Sequence, residues 1–237
     1  MIKQEVVTLT FPMGANFVGN VQIDIYRRLI SFIKELMCFN LDSKCDDCCK
    51  NKQCRYYSMT GGNFSKYPGI LIKNDLFEKK HYIENEQIKL VFYFIGNNDI
   101  YKDYIQLFFE QLNQNLFGNF FYLNSIDIKD IHMEYKTASE YSITTPIESL
   151  DFNQSYNQMV LYYNEKYDTN FLLLENNVEA FKNRTIQWTP IRLRTKTIKV
   201  IGYIYSFKTE EEINQCLLIT GIGKFNYLGG GHIEIKT

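Results

Sequence analysis

Three groups of residues in this chain have the types and spacing to do chemistry. The first is Gly221-Ile-Gly-Lys-Phe-Asn-Tyr-Leu-Gly-Gly-Gly231, which holds five of the thirteen glycines and lies directly before a short alternating stretch. A glycine-rich turn lets backbone N–H groups press against phosphates, and Lys224, Phe225 and Tyr227 add charge and stacking surfaces. The spacing is not G-x-x-x-x-G-K-[ST] and the loop does not open a helix, which excludes a nucleotide-binding P-loop. A tight helix-to-strand connection is the other reading of the same glycines. The second group is Cys38, Cys45, Cys48, Cys49 and Cys54, clustered within seventeen residues, with Cys216 far away. The third is basic. Between Phe181 and Thr209 there are seven Lys or Arg residues and no acid. Within it Arg192, Arg194 and Lys196 alternate with Ile191, Leu193 and Thr195, so three positive charges share one strand face. An anionic polymer across that face relieves their repulsion; a solvated face is the alternative. Of the histidines, His81 and His132 read as surface residues, while His232 abuts the glycine loop and shares a face with Glu234 and Lys236.

The totals bound what these groups can belong to. With 237 residues, 45% hydrophobic and 16% aromatic, the chain can bury one large or two small cores. Its net charge of −1 argues against a uniformly nucleic-acid-coated protein. No run approaches the ~20 apolar residues of a membrane span, and the start lacks the layout of a signal peptide. A cytoplasmic protein is expected. In that compartment clustered thiols favour metal over disulfides. Cys38, Cys45, Cys48 and Cys54 would supply four thiolates to zinc or an iron–sulfur cluster, and free thiols in a lysine-flanked loop are the alternative.

The elements that must position these groups follow from periodicity. Val6 to Phe11 is an opening strand. Asn20 to Met37 is an amphipathic helix with Ile25, Leu29, Phe32, Ile33 and Leu36 on one stripe. Gly69–Lys73 and Ile88–Ile95 are strands, a helix runs from Asn98 or Asp99 to Phe117, and Phe120–Ile131 returns as a strand. The second half repeats the order. A strand at Glu140–Thr145 leads to a helix at Asn153–Tyr167 and strands at Thr185–Lys196 and Ile198–Phe207. A capping box at Thr209-Glu-Glu-Glu212 opens a helix to about Ile219, and His232–Lys236 closes the chain. Two β-α-β-β-α-β copies predict an α+β chain of tandem ferredoxin-like domains, near residues 1–135 and 136–237, with helices on one face of each antiparallel sheet.

A tandem ferredoxin-like pair with a C-terminal glycine-rich loop resembles the CRISPR repeat-processing endoribonucleases of the repeat-associated mysterious protein (RAMP) superfamily. The resemblance is carried by Gly221-x-Gly223-x5-Gly229-Gly230-Gly231, by Trp188-x-x-x-Arg192-x-Arg194 followed by Val200-Ile-Gly202, and by Cys45-x-x-Cys48-x5-Cys54 after the first helix. It implies a protein that binds CRISPR repeat RNA and cuts it once without metal, leaving a 2′,3′-cyclic phosphate and a 5′-OH. It also implies contact of the RNA with the loop, with Arg192, Arg194 and Lys196, and with Arg27 and Arg28 on the first helix. Many members place a histidine on or near that helix; this helix has none. His232 is then the imidazole candidate, with Tyr26 and Lys34 as the phenol and cation that replace it. Two alternatives stay open: a non-catalytic RAMP subunit holding guide RNA among the other subunits of an effector complex, and a metal-stabilised RNA-binding module.

Overall fold

The computed structural model describes the chain except Met1, Phe39, Asp42, Ser43, Ser65, residues 74–78, Met133, Thr137, Ser139, Asn177, residues 193–196 and Thr237. The first half runs β1 (Ile2–Phe11), α1 (Val21–Met37), β2 (Ile70–Ile72), β3 (Glu86–Ile95), α2 (Asp103–Gln111) and β4 (Tyr122–Ile131). The second runs β5 (Glu140–Ile143), α3 (Phe152–Tyr167), β6 (Glu179–Arg192), β7 (Thr197–Lys208), α4 (Gln215–Thr220) and β8 (Ile233–Lys236). The sheets are ordered β2-β3-β1-β4 and β6-β7-β5-β8, with every neighbouring pair antiparallel. Both are therefore ferredoxin-like, and the tandem β-α-β-β-α-β arrangement is the fold of the chain.

The helix α1 forms where its cap and stripe dictate. Asn20 Oδ1 accepts from the Ile23 N–H at 2.8 Å, satisfying one of the open donors of the first turn. Its buried face is wider than the stripe read from periodicity, because Val21, Ile23, Tyr26 and Ile30 are buried as well as Ile25, Leu29 and Ile33. Leu36, expected on the stripe, is 54% exposed. The width is explained by two partners. One flank packs on the first sheet and α2, among Leu9, Leu90, Phe92, Ile105 and Phe108; the other, through Ile23, meets the second half.

The far face of the first sheet is not left free along its whole length. Ile2, Leu71, Tyr93 and Ile95 alternate with the residues facing α1 and α2, and they join Tyr156, Met159, Tyr163 and Tyr167 of α3 in one core. The helix α3 thus lies between its own sheet, where Phe152 stacks on Phe207 at 4.1 Å, and the first half, where Tyr163 meets Tyr67 edge-on at 6.2 Å.

Two expected helices are corrected. The first is shorter: a 3-10 turn at Gly96–Tyr101 precedes α2, which stops at Gln111. Asn113, Gln114 and Phe117 then take left-handed backbone and a tight hairpin follows. At the second, Thr209 and Glu211 do not open α4. Asn214 caps it, accepting from the Cys216 N–H at 2.9 Å, while the Glu211 carboxylate receives the N–H groups of Glu175 and Asn176. The carboxylate is spent on a neighbouring loop rather than on a helix start.

Candidate nucleic-acid interface

The glycine loop sits in the seam between the halves and is held from three sides. Asn226 donates through Nδ2 to the Tyr163 hydroxyl on α3 at 2.8 Å. Tyr227 lies against Phe64 at 5.0 Å between ring centroids and against Tyr26 of α1 at 6.5 Å. Leu228 packs with Ile23 of α1 and Val200 of β7, with Trp188, Phe225 and Tyr227 closing around them. Residues separated by most of the chain are brought together here: the start of α1, the β6–β7 hairpin and the loop.

Most of the loop's donors are already committed. The Ile222 N–H goes to the Gly231 carbonyl at 2.9 Å, those of Leu228 and Gly230 to Phe225, that of Gly229 to Asn226, and that of Gly231 to Pro146 at 3.1 Å. The Lys224 N–H goes to Glu148 Oε2 at 2.9 Å. Such a loop closes on itself and on the Thr145–Glu148 turn, so those N–H groups do not cradle phosphate. Gly231, at φ +66, shows why glycine is needed: a Cβ there would run into the Ile222 carbonyl oxygen. The loop presents instead the exposed Lys224 side chain and the half-buried Phe225.

Arg27 lies one turn beyond Ile23 on the same flank of α1, beside Asp24, with Nη1 and Oδ1 3.5 Å apart. Burial pushes the Asp24 carboxyl up and the Arg27 guanidinium counters it. Arg28 points elsewhere, over the Phe117 ring at 5.8 Å. The hairpin is long: β6 and β7 have 14 and 12 residues against 4 each in β5 and β8. It carries the exposed Lys182, Arg184, Lys199 and Lys208. Arg192 ends β6 opposite Thr197; Arg194 and Lys196 lie outside the described residues.

The three groups named as catalytic from sequence do not converge. Tyr26 is buried to 1% exposure, donates its hydroxyl to the Ile70 carbonyl at 2.7 Å, and burial raises its phenol well above 10. It is a core residue, with its hydroxyl committed to the backbone of the first sheet. His232 lines a recess of about 260 Å³ with Gln215, Leu218 and Ile235, against α4. Its N–H is held by Thr145 Oγ1 at 2.7 Å. Lys34 is half-buried two turns beyond Tyr26 and acts on Cys45. The residues missed from sequence are Asn226, Glu148 and Ile23, which position the loop. Ile23 carried a signal, being an apolar residue off the main stripe of an otherwise ordinary helix.

Cys38, Cys45 and Cys54 lie within electrostatic reach of one another; burial pushes the Cys45 thiol up and the Lys34 charge opposes that rise. Cys38 Sγ is turned to the Asn40 carbonyl at 3.2 Å, and Cys45 and Cys54 pack against the first core. Among the described residues, no three His, Cys, Asp or Glu side chains are grouped to hold a metal, so a zinc or iron–sulfur site at Cys38, Cys45, Cys48 and Cys54 has no support from the geometry.

No family model matches the chain, and no curated protein is similar to it in sequence. Solved structures are similar to it in fold. A CRISPR-associated protein Cas6 aligns over all of both chains, with a TM-score of 0.53 at 11% identity. A RAMP protein described as binding different RNA substrates aligns over all of both, at 0.52 and 13%. A Cas6 product complex aligns over all of this chain and 99% of that one, at 0.55 and 8%. The chain therefore shares the fold of these proteins over its full length. No described helix is long and apolar enough to cross a membrane.

Proposed function

We propose that this chain binds CRISPR repeat RNA along the seam described above and cuts it once, releasing mature guide RNAs. The observation that carries the reading is the junction of Ile23, Val200 and Leu228. Trp188 packs against that junction, Arg27 follows Ile23 by one helical turn and Lys224 precedes Leu228 in the loop, which supports reading them and the basic hairpin as one RNA-binding track. Residues 1–135 and 136–237 are taken as the two units of the tandem ferredoxin-like frame. Exposed Lys and Arg supply the sequence-independent attraction to phosphate, and Trp188 and Phe225 are the stacking candidates. Arg192, Arg194 and Lys196, the basic alternation read from the sequence, are proposed to bind the same RNA.

The reaction is transesterification within the RNA. The 2′-oxygen forms a bond to the adjacent phosphorus, the bond to the 5′-oxygen breaks, and the proton lost by the 2′-OH is balanced by one delivered to the leaving oxygen. The products are a 2′,3′-cyclic phosphate and a 5′-OH. Because the nucleophile belongs to the RNA, the step calls for alignment and charge stabilisation rather than an activated water. Arg27 and Lys224 are the cations offered at the seam. His232 is the imidazole that a bound strand reaching α4 would meet, and Lys34 is a further cation.

A second reading, a non-catalytic RAMP subunit that holds guide RNA beside other effector subunits, is favoured by one observation: His232, Tyr26 and Lys34 stand apart. Incubating the purified protein with its own repeat RNA in EDTA separates the two. One cut bearing a cyclic phosphate by mass spectrometry supports the nuclease. Tight binding without a cut supports the subunit, and no binding ends both.

A further inference from the structure

A second recess lies between the halves, at the C-terminal end of α3. It is lined by Arg55 and Ser58 of the short helix Arg55–Met59, by Asn97, Asn98 and Tyr101 of the 3-10 turn Gly96–Tyr101, and by Lys166 of α3. Its volume is about 260 Å³. It shares no residue with the glycine-loop seam. Its walls are tied together, because the Tyr167 hydroxyl reaches the Ser58 carbonyl at 2.8 Å while Asn98 Nδ2 donates to the Ile95 carbonyl at 2.8 Å.

The polar groups facing this space favour an anion. Arg55 makes no ion pair with the described residues. Among the described residues, Lys166 is paired with its exposed neighbour Glu165 at 2.6 Å, a contact that solvent makes weak. The nearest carboxylate in the turn, Asp99, is bound to Lys3 at 3.0 Å and so does not neutralise the recess. Tyr101 is 3% exposed and lines the recess. Burial pushes the Tyr101 phenol up to about 12 and the Arg55 charge, lining the same recess, opposes that rise. Two cations, a hydroxyl donor and side-chain amides match an oxyanion with several acceptors, and a planar guanidinium suits phosphate in particular. The volume lies below the ~300 Å³ at which drug-sized pockets begin, so it fits a phosphate with its attached sugar rather than a dinucleotide.

We propose that this recess is a nucleotide-phosphate site, with Arg55 and Lys166 holding the phosphate and the Tyr101 hydroxyl donating to one of its oxygens. The phosphate comes either from a free mononucleotide or from an RNA strand running past the seam. The proposal does not rest on cleavage or on repeat binding at the glycine loop.

The test is calorimetric titration of the full chain with adenosine 5′-monophosphate, with adenosine as the control lacking phosphate, and separately with repeat RNA. Wild type, R55A/K166A and Y101F are compared, with thermal melts showing that each is folded. If the nucleotide is the source, adenosine 5′-monophosphate binds wild type, adenosine does not, and the double variant loses ~10-fold or more in affinity while Y101F loses less. If RNA is the source, the double variant weakens RNA binding by a similar factor and flattens its salt dependence, and adenosine 5′-monophosphate competes with the RNA. Equal affinity of wild type and double variant for both ligands overturns the proposal, as does adenosine binding as well as its monophosphate. A chain that binds adenosine 5′-monophosphate here but never binds repeat RNA leaves this site standing and removes the function proposed above.

Discussion

Replacing Gly231 by alanine tests whether the glycine loop is built to close on itself. Gly231 has φ +66, a region that costs an L-residue roughly 1–2 kcal/mol. The added Cβ would also collide with the Ile222 carbonyl oxygen, which is backbone and cannot swing away. Relief requires separating the two strands of the loop and loosening Ile222 N–H to Gly231 O and Gly231 N–H to Pro146 O, each worth ~1 kcal/mol net. The sum is ~3–4 kcal/mol. For a chain of this length each kcal/mol moves the melting temperature by ~2–4 °C, so a drop of roughly 10 °C is expected. Gly118 provides the control. It has φ +87, but nothing lies within 4 Å of an added Cβ, so Gly118→Ala carries only the backbone cost and a drop of ~4 °C. Thermal unfolding followed by circular dichroism measures both. Equal drops for the two variants would refute the self-closed loop and return its glycines to a ligand-facing role.

Tyr26→Phe removes a buried hydrogen bond to Ile70, so it should cost ~1 kcal/mol in urea unfolding yet leave single-turnover cleavage unchanged; a rate collapse at intact affinity would restore Tyr26 to the chemistry. In the same assay, loss of His232 as an acid or base costs ~10²–10⁴-fold, which His232→Ala reads directly. Glu5 is 1% exposed, and burial, with Asp103 adding and Lys102 opposing, raises its carboxyl from 4.5 to about 8. The folded state then holds a proton that the unfolded state has lost between those values, so stability is full below about 4.5 and falls as pH rises through about 8, at up to ~1.4 kcal/mol per pH unit. Glu5→Gln should flatten urea midpoints measured at pH 5 and pH 9, and parallel profiles in the two proteins would contradict it. The pair Arg27→Ala and Lys224→Ala should weaken RNA binding by ~1–3 kcal/mol each and reduce the salt slope; binding unchanged across salt concentrations would make both residues solvated surface.

The order of elements was readable because it rests on local pattern. Asn20 caps α1 and apolar residues recur at helical spacing behind it, while β3 reads as an apolar run bounded by turn residues. Failures occur where tertiary contacts override a local signal. The run after Asn98 looks like one helix through Phe117, but Asn113, Gln114 and Phe117 take left-handed backbone, which of the three only Asn113 announces by its type. Thr209 and Glu211 have the types of a capping box, yet the Glu211 carboxylate serves residues 175 and 176. The site divides in the same way. The loop residues are contiguous, so their clustering was visible. That Tyr227 meets Phe64 and Tyr26, and that His232 is turned to α4 instead, depends on packing between segments far apart in sequence.

The contact of Tyr167 with the first half also has a consequence for synthesis. Its hydroxyl lies 2.8 Å from the Ser58 and Tyr67 carbonyls, and the latter partner precedes it by 100 residues. At ~5–20 residues per second, a nascent chain carries residues 58–67 for roughly 5–20 s before the side chain that secures them is made. The first half must emerge from the ribosome with that segment and the face around Tyr93 uncovered. Chaperones that shield apolar surface during translation would therefore have their longest claim on this half, and release would wait for the last turn of α3.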